Sequence, residues 1–143
     1  MKVLITGTTG HAGGHALEHC VKNGHEVHAL VRHHHLKNLP DRPDVTWVGG
    51  SFADSEIISE AAQQCDAVVH IGASHDEEME KLDSNFITSV KEALAGTGKV
   101  FVTTSASVVY NDTQGVPRDE REPIEDPHPL RAWRARHDLD VVN

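Results

Sequence analysis

Residues 3–19 read VLITGTTGHAGGHALEH, an apolar run that enters a helix through the turn Gly7-Thr8-Thr9-Gly10-His11-Ala12-Gly13. Val3, Leu4 and Ile5 lack polar alternation, the pattern of a parallel strand covered on both faces. From Ala12 to Asn23 the residues Ala16, Leu17, Cys20 and Val21 fall on one helical stripe, and Gly24 supplies a left-handed stop. A helix that leaves such a turn presents unpaired backbone N–H groups and the positive end of its dipole, which together suit a diphosphate. Gly7 permits the tight exit from the strand, Gly10 lets the diphosphate approach the backbone, and Gly13 seats the helix against the sheet. The pattern therefore points to a dinucleotide held by residues 7–13. A P-loop would end in Gly-Lys-Ser/Thr, which is missing here; a purely structural turn is the other reading.

Strand and helix alternate outward from this unit. Residues 26–32 (EVHALVR) read as a second strand and 45–48 (VTWV), beyond the Pro40 and Pro43 break, as a third. Asp54 or Ser55 can cap a helix with Ile57, Ile58, Ala61 and Ala62 inward, and 67–72 (AVVHIG) gives a fourth strand. A helix over 76–96 carries Met79, Leu82, Phe86, Val90 and Leu94 on one face, and 99–103 (KVFVT) is a fifth strand. Residues 111–129 are a loop by composition, 130–138 (LRAWRARHD) a short helix, and 139–142 (LDVV) a candidate sixth strand. The expectation is an α/β fold, a doubly wound parallel sheet of Rossmann type with five to six strands and helices on both faces.

With 143 residues, the chain suits a single dinucleotide-binding domain over 1–143, without a C-terminal substrate domain. A formal charge of −9 and an aromatic content of 4% argue against nucleic acid or an anionic membrane surface as partner. A small anionic ligand needs only a local cluster of donors. Cys20 and Cys65 show no C-x-x-C spacing and read as reduced thiols. The N-terminus reaches glycine too soon for a signal peptide, and no apolar run approaches the ~20 residues of a membrane span. A cytoplasmic location is expected.

The spacing G-x-x-G-x-x-G after Thr6 resembles the extended and atypical short-chain dehydrogenase/reductases, the group that contains sugar-nucleotide epimerases and dehydratases. Three further stretches carry the resemblance: GGSFADSE (49–56), DAVVHIGA (66–73) and VFVTTSASVVY (100–110). The resemblance implies that Gly7, Thr9, Gly10, His11, Ala12 and Gly13 surround the diphosphate. It also places Gly72 and Ala73 near ribose and diphosphate, and Ser51 and Phe52 beside the adenine. Ser51 stands where the family usually has an aspartate. Arg32 lies where an NAD-selective fold presents an acidic residue to the ribose 2'-hydroxyl, and a guanidinium suits a 2'-phosphate instead. Lys37 and His33, His34 and His35 add nearby donors. NADP(H) is thus the preferred cofactor and NAD(H) the second; a solvated strand end is the alternative for Arg32.

Family members that move a hydride use a Tyr-x-x-x-Lys pair and a Ser or Thr after the fifth strand. Here Trp133 and His137 fall at the pair's expected positions. Tyr110 is the only tyrosine, and no lysine follows Lys99. An indole N–H is no acid at neutral pH. The remaining catalytic candidates are Ser105, which fits only with a one-residue slip that otherwise gives Ala106, and Tyr110 and His137. The chain accordingly reads as a nucleotide-binding unit that is weakly active or inactive alone. A sensor acting through a protein partner is the alternative, and a reductase taking its proton from water or His137 is a third reading.

Twelve histidines raise the question of a metal. The run 33–35 lacks metal-ligand spacing, since adjacent side chains diverge, and reads as a solvated loop that binds metal only adventitiously, with no physiological metal. His70 is expected to be packed with a satisfied ring nitrogen, and His15 and His19 to lie on the surface. The substrate remains an unidentified small molecule, and the apolar stripe over 76–96 makes that helix the candidate surface for a homodimer.

Overall fold

Five parallel strands, β1 (Lys2–Thr6), β2 (Glu26–Val31), β3 (Val45–Gly49), β4 (Ala67–His70) and β5 (Val100–Thr103), form one sheet in the order β3-β2-β1-β4-β5: the chain moves outward from β1 through β2 to β3, then crosses back to lay β4 on the other side of β1. The computed structural model describes residues 1–74, 77–119, 121–125, 127–129 and 132–142, and the chain divides into two compact units, Met1–Thr103 and Thr104–Asn143. The first unit runs β1 (Lys2–Thr6), α1 (His11–Lys22), β2 (Glu26–Val31), α2 (His33–Leu36), β3 (Val45–Gly49), α3 (Ser55–Gln64), β4 (Ala67–His70), α4 (Met79–Leu94) and β5 (Val100–Thr103).

Alternate residues of β1 serve opposite faces of the sheet. Leu4 joins Ile58, Ala62, Val68, Phe86 and Val90 under α3 and α4, whereas Val3 and Ile5 join Leu17, Val27, Ala29 and Val45 under α1. The sheet is therefore covered on both faces, and its central strands can be apolar throughout. The stripe of α4 is spent on this core: Phe86, Val90 and Leu94 are buried, and Glu80, Lys81, Thr88, Lys91 and Glu92 are exposed. A homodimer through α4 would have to use that polar face. Gly24 has φ +76, the left-handed stop expected after α1.

Several expectations change. The histidines at 33–35 open the short helix α2 rather than a solvated loop. Asp54 holds the N-cap position of α3, but its carboxylate turns back to the Ser51 N–H and hydroxyl at 2.7 and 2.8 Å and does not cap the helix. The expected starts of two helices, at Asp76 and at Leu130 and Arg131, lie outside the described residues.

The second unit contains a 3-10 turn (Ser107–Tyr110), irregular chain, and α5 (Ala132–Val142). The candidate sixth strand at 139–142 is instead the last turn of α5, so the sheet has five strands. Ala, Arg and Leu favour helix here, and Arg134 pairs with Asp138 one turn on at 3.2 Å; these local terms outweigh the β preference of two valines.

Candidate functional site

At the C-terminal ends of β1, β2 and β4 the first unit opens a cavity of about 440 Å3. In an open parallel sheet ligands bind at this place, where neighbouring crossovers part. Its floor is the glycine turn. Gly7 has φ +76, and a Cβ there would stand 2.7 Å from the Gly72 nitrogen; a Cβ on Gly13 would meet the Gly7 carbonyl oxygen at 2.1 Å. Side chains at these two positions would push β1, α1 and the 71–73 segment apart. Gly10 differs: its backbone is extended (φ −96, ψ 172), and a Cβ would meet only the Gly7 oxygen, at 3.3 Å. The floor is thus main chain, packed at Gly7 and Gly13 against neighbouring backbone and left open at Gly10.

Gly7, Thr9, Gly10, His11, Ala12, Gly13, Arg32, Ser51, Phe52, Gly72 and Ala73, the residues singled out from sequence, all line this cavity. Thr8, in the same turn, has a buried hydroxyl without a hydrogen-bond partner among the described residues. Ser51 does not offer a free hydroxyl, because Asp54 accepts it; the bonds from Ser51 hold the Asp54 carboxyl below the usual carboxylate range. The Asn85 side-chain amide donates to the Phe52 carbonyl at 2.7 Å, so α4 fixes that part of the wall.

The opposite wall is set by a buried polar chain. Thr6 Oγ1 accepts the N–H groups of Ile71 (3.1 Å) and Gly72 (2.9 Å) and lies 2.8 Å from His70 Nδ1. A hydroxyl has two acceptor sites and one proton, so with both sites filled Thr6 donates to Nδ1. His70 then carries its proton on Nε2, which donates to Asp83 Oδ1 at 3.0 Å. Thr6 and His70 are fully buried and Asp83 nearly so, with the imidazole stacked on Phe86 at a ring separation of 4.2 Å. This links α4 to the Gly72 backbone at the cavity edge, and His70 is packed as expected. Thr6 and Asp83, the two ends of this buried chain, were not singled out from sequence. The signal for Asp83 was there: an acid three residues before Phe86 and four after Met79, on the apolar face of α4.

The catalytic candidates lie in the second unit, each with a partner of its own. Ser105 donates its hydroxyl to Asp138, Tyr110 donates its phenol to the Asp119 carbonyl at 3.1 Å, and the His137 ring meets Trp133 edge-on at 5.3 Å. Arg134 is buried and donates to both Asp138 and the Thr104 carbonyl. Arg134 and Asp138 were not singled out from sequence. His15 and His19 are exposed as expected. Among the described residues no cluster of three or more metal-ligating side chains forms, and no helix is long and apolar enough to cross a membrane.

Comparisons with known proteins agree with this geometry. The NAD dependent epimerase/dehydratase family model matches residues 3–137. An uncharacterised protein of Saccharomyces cerevisiae is 30% identical over 135 residues, taking in 85% of this chain and 45% of that protein. A UDP-glucose 4-epimerase of Neisseria meningitidis serogroup C is 30% identical over 138 residues, with 83% of this chain and 40% of the epimerase covered. Among solved structures, the Bordetella bronchiseptica enzyme WbmH in complex with NAD+ superposes with a TM-score of 0.70 at 25% identity, over 99% of this chain and 50% of that one. The chain spans 45%, 40% and 50% of the length of these three relatives. With the glycine turn, the sheet order and 135 matched positions in agreement, the chain belongs to the NAD-dependent epimerase/dehydratase family.

Proposed function

We propose that this chain binds a nicotinamide dinucleotide over the 7–13 turn, prefers NADP(H) to NAD(H), and is by itself a poor oxidoreductase. The observation that carries the binding is the cavity floor of bare backbone at the start of α1, where donors and helix dipole meet an anion together. The NAD+ complex of WbmH supports the ligand class. In this reading backbone groups of His11 and Ala12 hold the diphosphate, which lies against Gly10, whose own N–H donates to the Gly7 carbonyl at 2.9 Å. Ser51 and Phe52 flank the adenine, while Gly72 and Ala73 stand beside the ribose. A bound dinucleotide would supply a hydride acceptor or donor.

The preference for NADP(H) rests on Arg32, which lines the cavity just beyond β2 where no carboxylate stands among the described residues. A guanidinium takes a phosphate bidentately. NADP+ is expected to bind about five- to a hundred-fold more tightly than NAD+, and Arg32→Ala to remove most of that ratio. Titration calorimetry with both nucleotides checks this; equal affinities, or a ratio unchanged in the variant, count against it.

Weak activity is supported by the fate of the acid–base groups. The only tyrosine is bonded to the Asp119 carbonyl, and the indole of Trp133 cannot exchange a proton at neutral pH. Steady-state NADPH oxidation against sugar nucleotides, ketones and aldehydes should fall well below ~1 per second. Faster turnover would overturn this part of the reading.

A further inference from the structure

The chain has 22 Asp and Glu residues, yet none among the described residues lines the cavity, whose charged or protonatable side chains are Arg32, His11 and His35. α2 sorts the run of three histidines. A Cβ on Gly49 would stand 2.8 Å from His33 Nδ1, so the His33 ring packs on β3. His34 is exposed, its ring 4.2 Å from that of His35. His35 is half-buried and is the one of the three that lines the cavity, together with Arg32.

The groups around His35 are mostly basic. Its own segment supplies Arg32, His33, His34 and Lys37, and α1 adds His11 on the cavity wall. From the side of β3 the acid is Asp54, which interacts electrostatically with His33. Protonation of His34 is held down, first by desolvation and then by repulsion from His35, Arg32 and Lys37. This corner therefore carries positive charge in excess, although the whole chain is acidic.

We propose that His35 is the second cation of a 2'-phosphate site begun by Arg32, so that discrimination for phosphorylated over unphosphorylated dinucleotides strengthens when the imidazole takes up a proton. Arg32 supplies a permanent charge and His35 a conditional one. The inference rests on the NADP(H) reading above and adds to it a dependence on pH. An imidazole changes charge between about pH 8 and pH 6. The phosphate's own second protonation, near pH 6 on a phosphoryl monoester, works in the opposite direction. A variant without the imidazole isolates the two.

The test is titration calorimetry with NADP+ and NAD+ at about pH 8 and about pH 6.5, on the parent chain, His35→Gln and His34→Gln. In the parent and in His34→Gln the affinity ratio of NADP+ to NAD+ should rise about three- to ten-fold at the lower pH. In His35→Gln it should stay flat or fall. Titrations in two buffers of different ionisation enthalpy should also show proton uptake with NADP+ in the parent, reduced in His35→Gln. The same pH dependence in His35→Gln as in the parent overturns the role of His35 and leaves the role of Arg32 standing. Equal affinities for the two nucleotides at both pH values overturn the NADP(H) reading itself.

Discussion

The glycine turn of the first unit and the Ser105–Asp138 corner of the second are both polar places, and they are built in opposite ways. At the turn the surface is main chain: Gly7 and Gly13 bring backbone so close that no Cβ fits, and the cavity beside them contains no ion pair among the described residues. At the corner the polar groups are side chains, and their bonds go to one another and to main-chain carbonyls. Asp138 takes Ser105 and Arg134, Arg134 takes the Thr104 carbonyl, and Tyr110 takes the Asp119 carbonyl. Main chain at the start of a helix offers N–H groups to a ligand, whereas side chains already paired are framework. The difference separates a place that binds from a place that holds its own fold together.

The sharpest way to break this contrast is to cut the support beneath the turn. His70→Ala removes the partner of both Thr6 and Asp83 and should cost about 3 kcal/mol of unfolding free energy, measured in urea. The double variant His70→Phe/Asp83→Leu should recover part of that loss, because a buried polar pair replaced by apolar groups is often neutral. A loss below ~1 kcal/mol in His70→Ala would mean that the Thr6–His70–Asp83 chain does not hold the 71–73 wall.

Asp138→Ala tests the other side of the comparison. If the corner is framework, the variant loses about 1–2 kcal/mol by leaving Arg134 without a carboxylate partner it now has. An increase in NADPH oxidation on removing Asp138 would show instead that Ser105 is a reactive hydroxyl held in check.

The smallest effect concerns Asp54, whose carboxyl is held low by the hydroxyl and N–H of Ser51. A lowered carboxyl adds stability above its ordinary value of 3.8, and this is lost as pH falls through the lower folded value. Asp54→Ala should therefore be about 0.5 kcal/mol less stable than the parent at neutral pH, solvent screening keeping the effect small. The gap should close in acid. A constant gap from neutral pH to below pH ~3 would assign the effect to packing rather than charge.

The first unit was largely legible in the sequence because its signals are local. A strand without alternation, a turn of glycines and a helix with an apolar stripe follow one another within residues 3–24, and Gly7 and Gly13 answer to steric limits. The cavity residues followed from the same stretch and from 49–56 and 66–73, with Arg32 read from the end of the second strand. The pairing of Thr6 and Asp83 with His70 was not legible, since it joins positions 64 and 13 residues apart that meet only once β4 lies beside β1. Two valines at 141 and 142 suggested a strand, and the helix won because Arg134 and Asp138 pair along it. The three histidines offered no sequence pattern to distinguish them; the short helix α2 turns one to β3, one outward and one to the cavity.

The most direct measurement is a calorimetric titration of NADP+ into the parent chain and Gly10→Val, with thermal unfolding of both. The Gly10 backbone is extended and a Cβ meets only the Gly7 oxygen at 3.3 Å, so valine should be tolerated to within about 1 kcal/mol while its side chain occupies the diphosphate's place. The account predicts a folded variant whose affinity for NADP+ falls at least about ten-fold. A parent that does not bind the nucleotide, or a folded Gly10→Val that titrates like the parent, would contradict it.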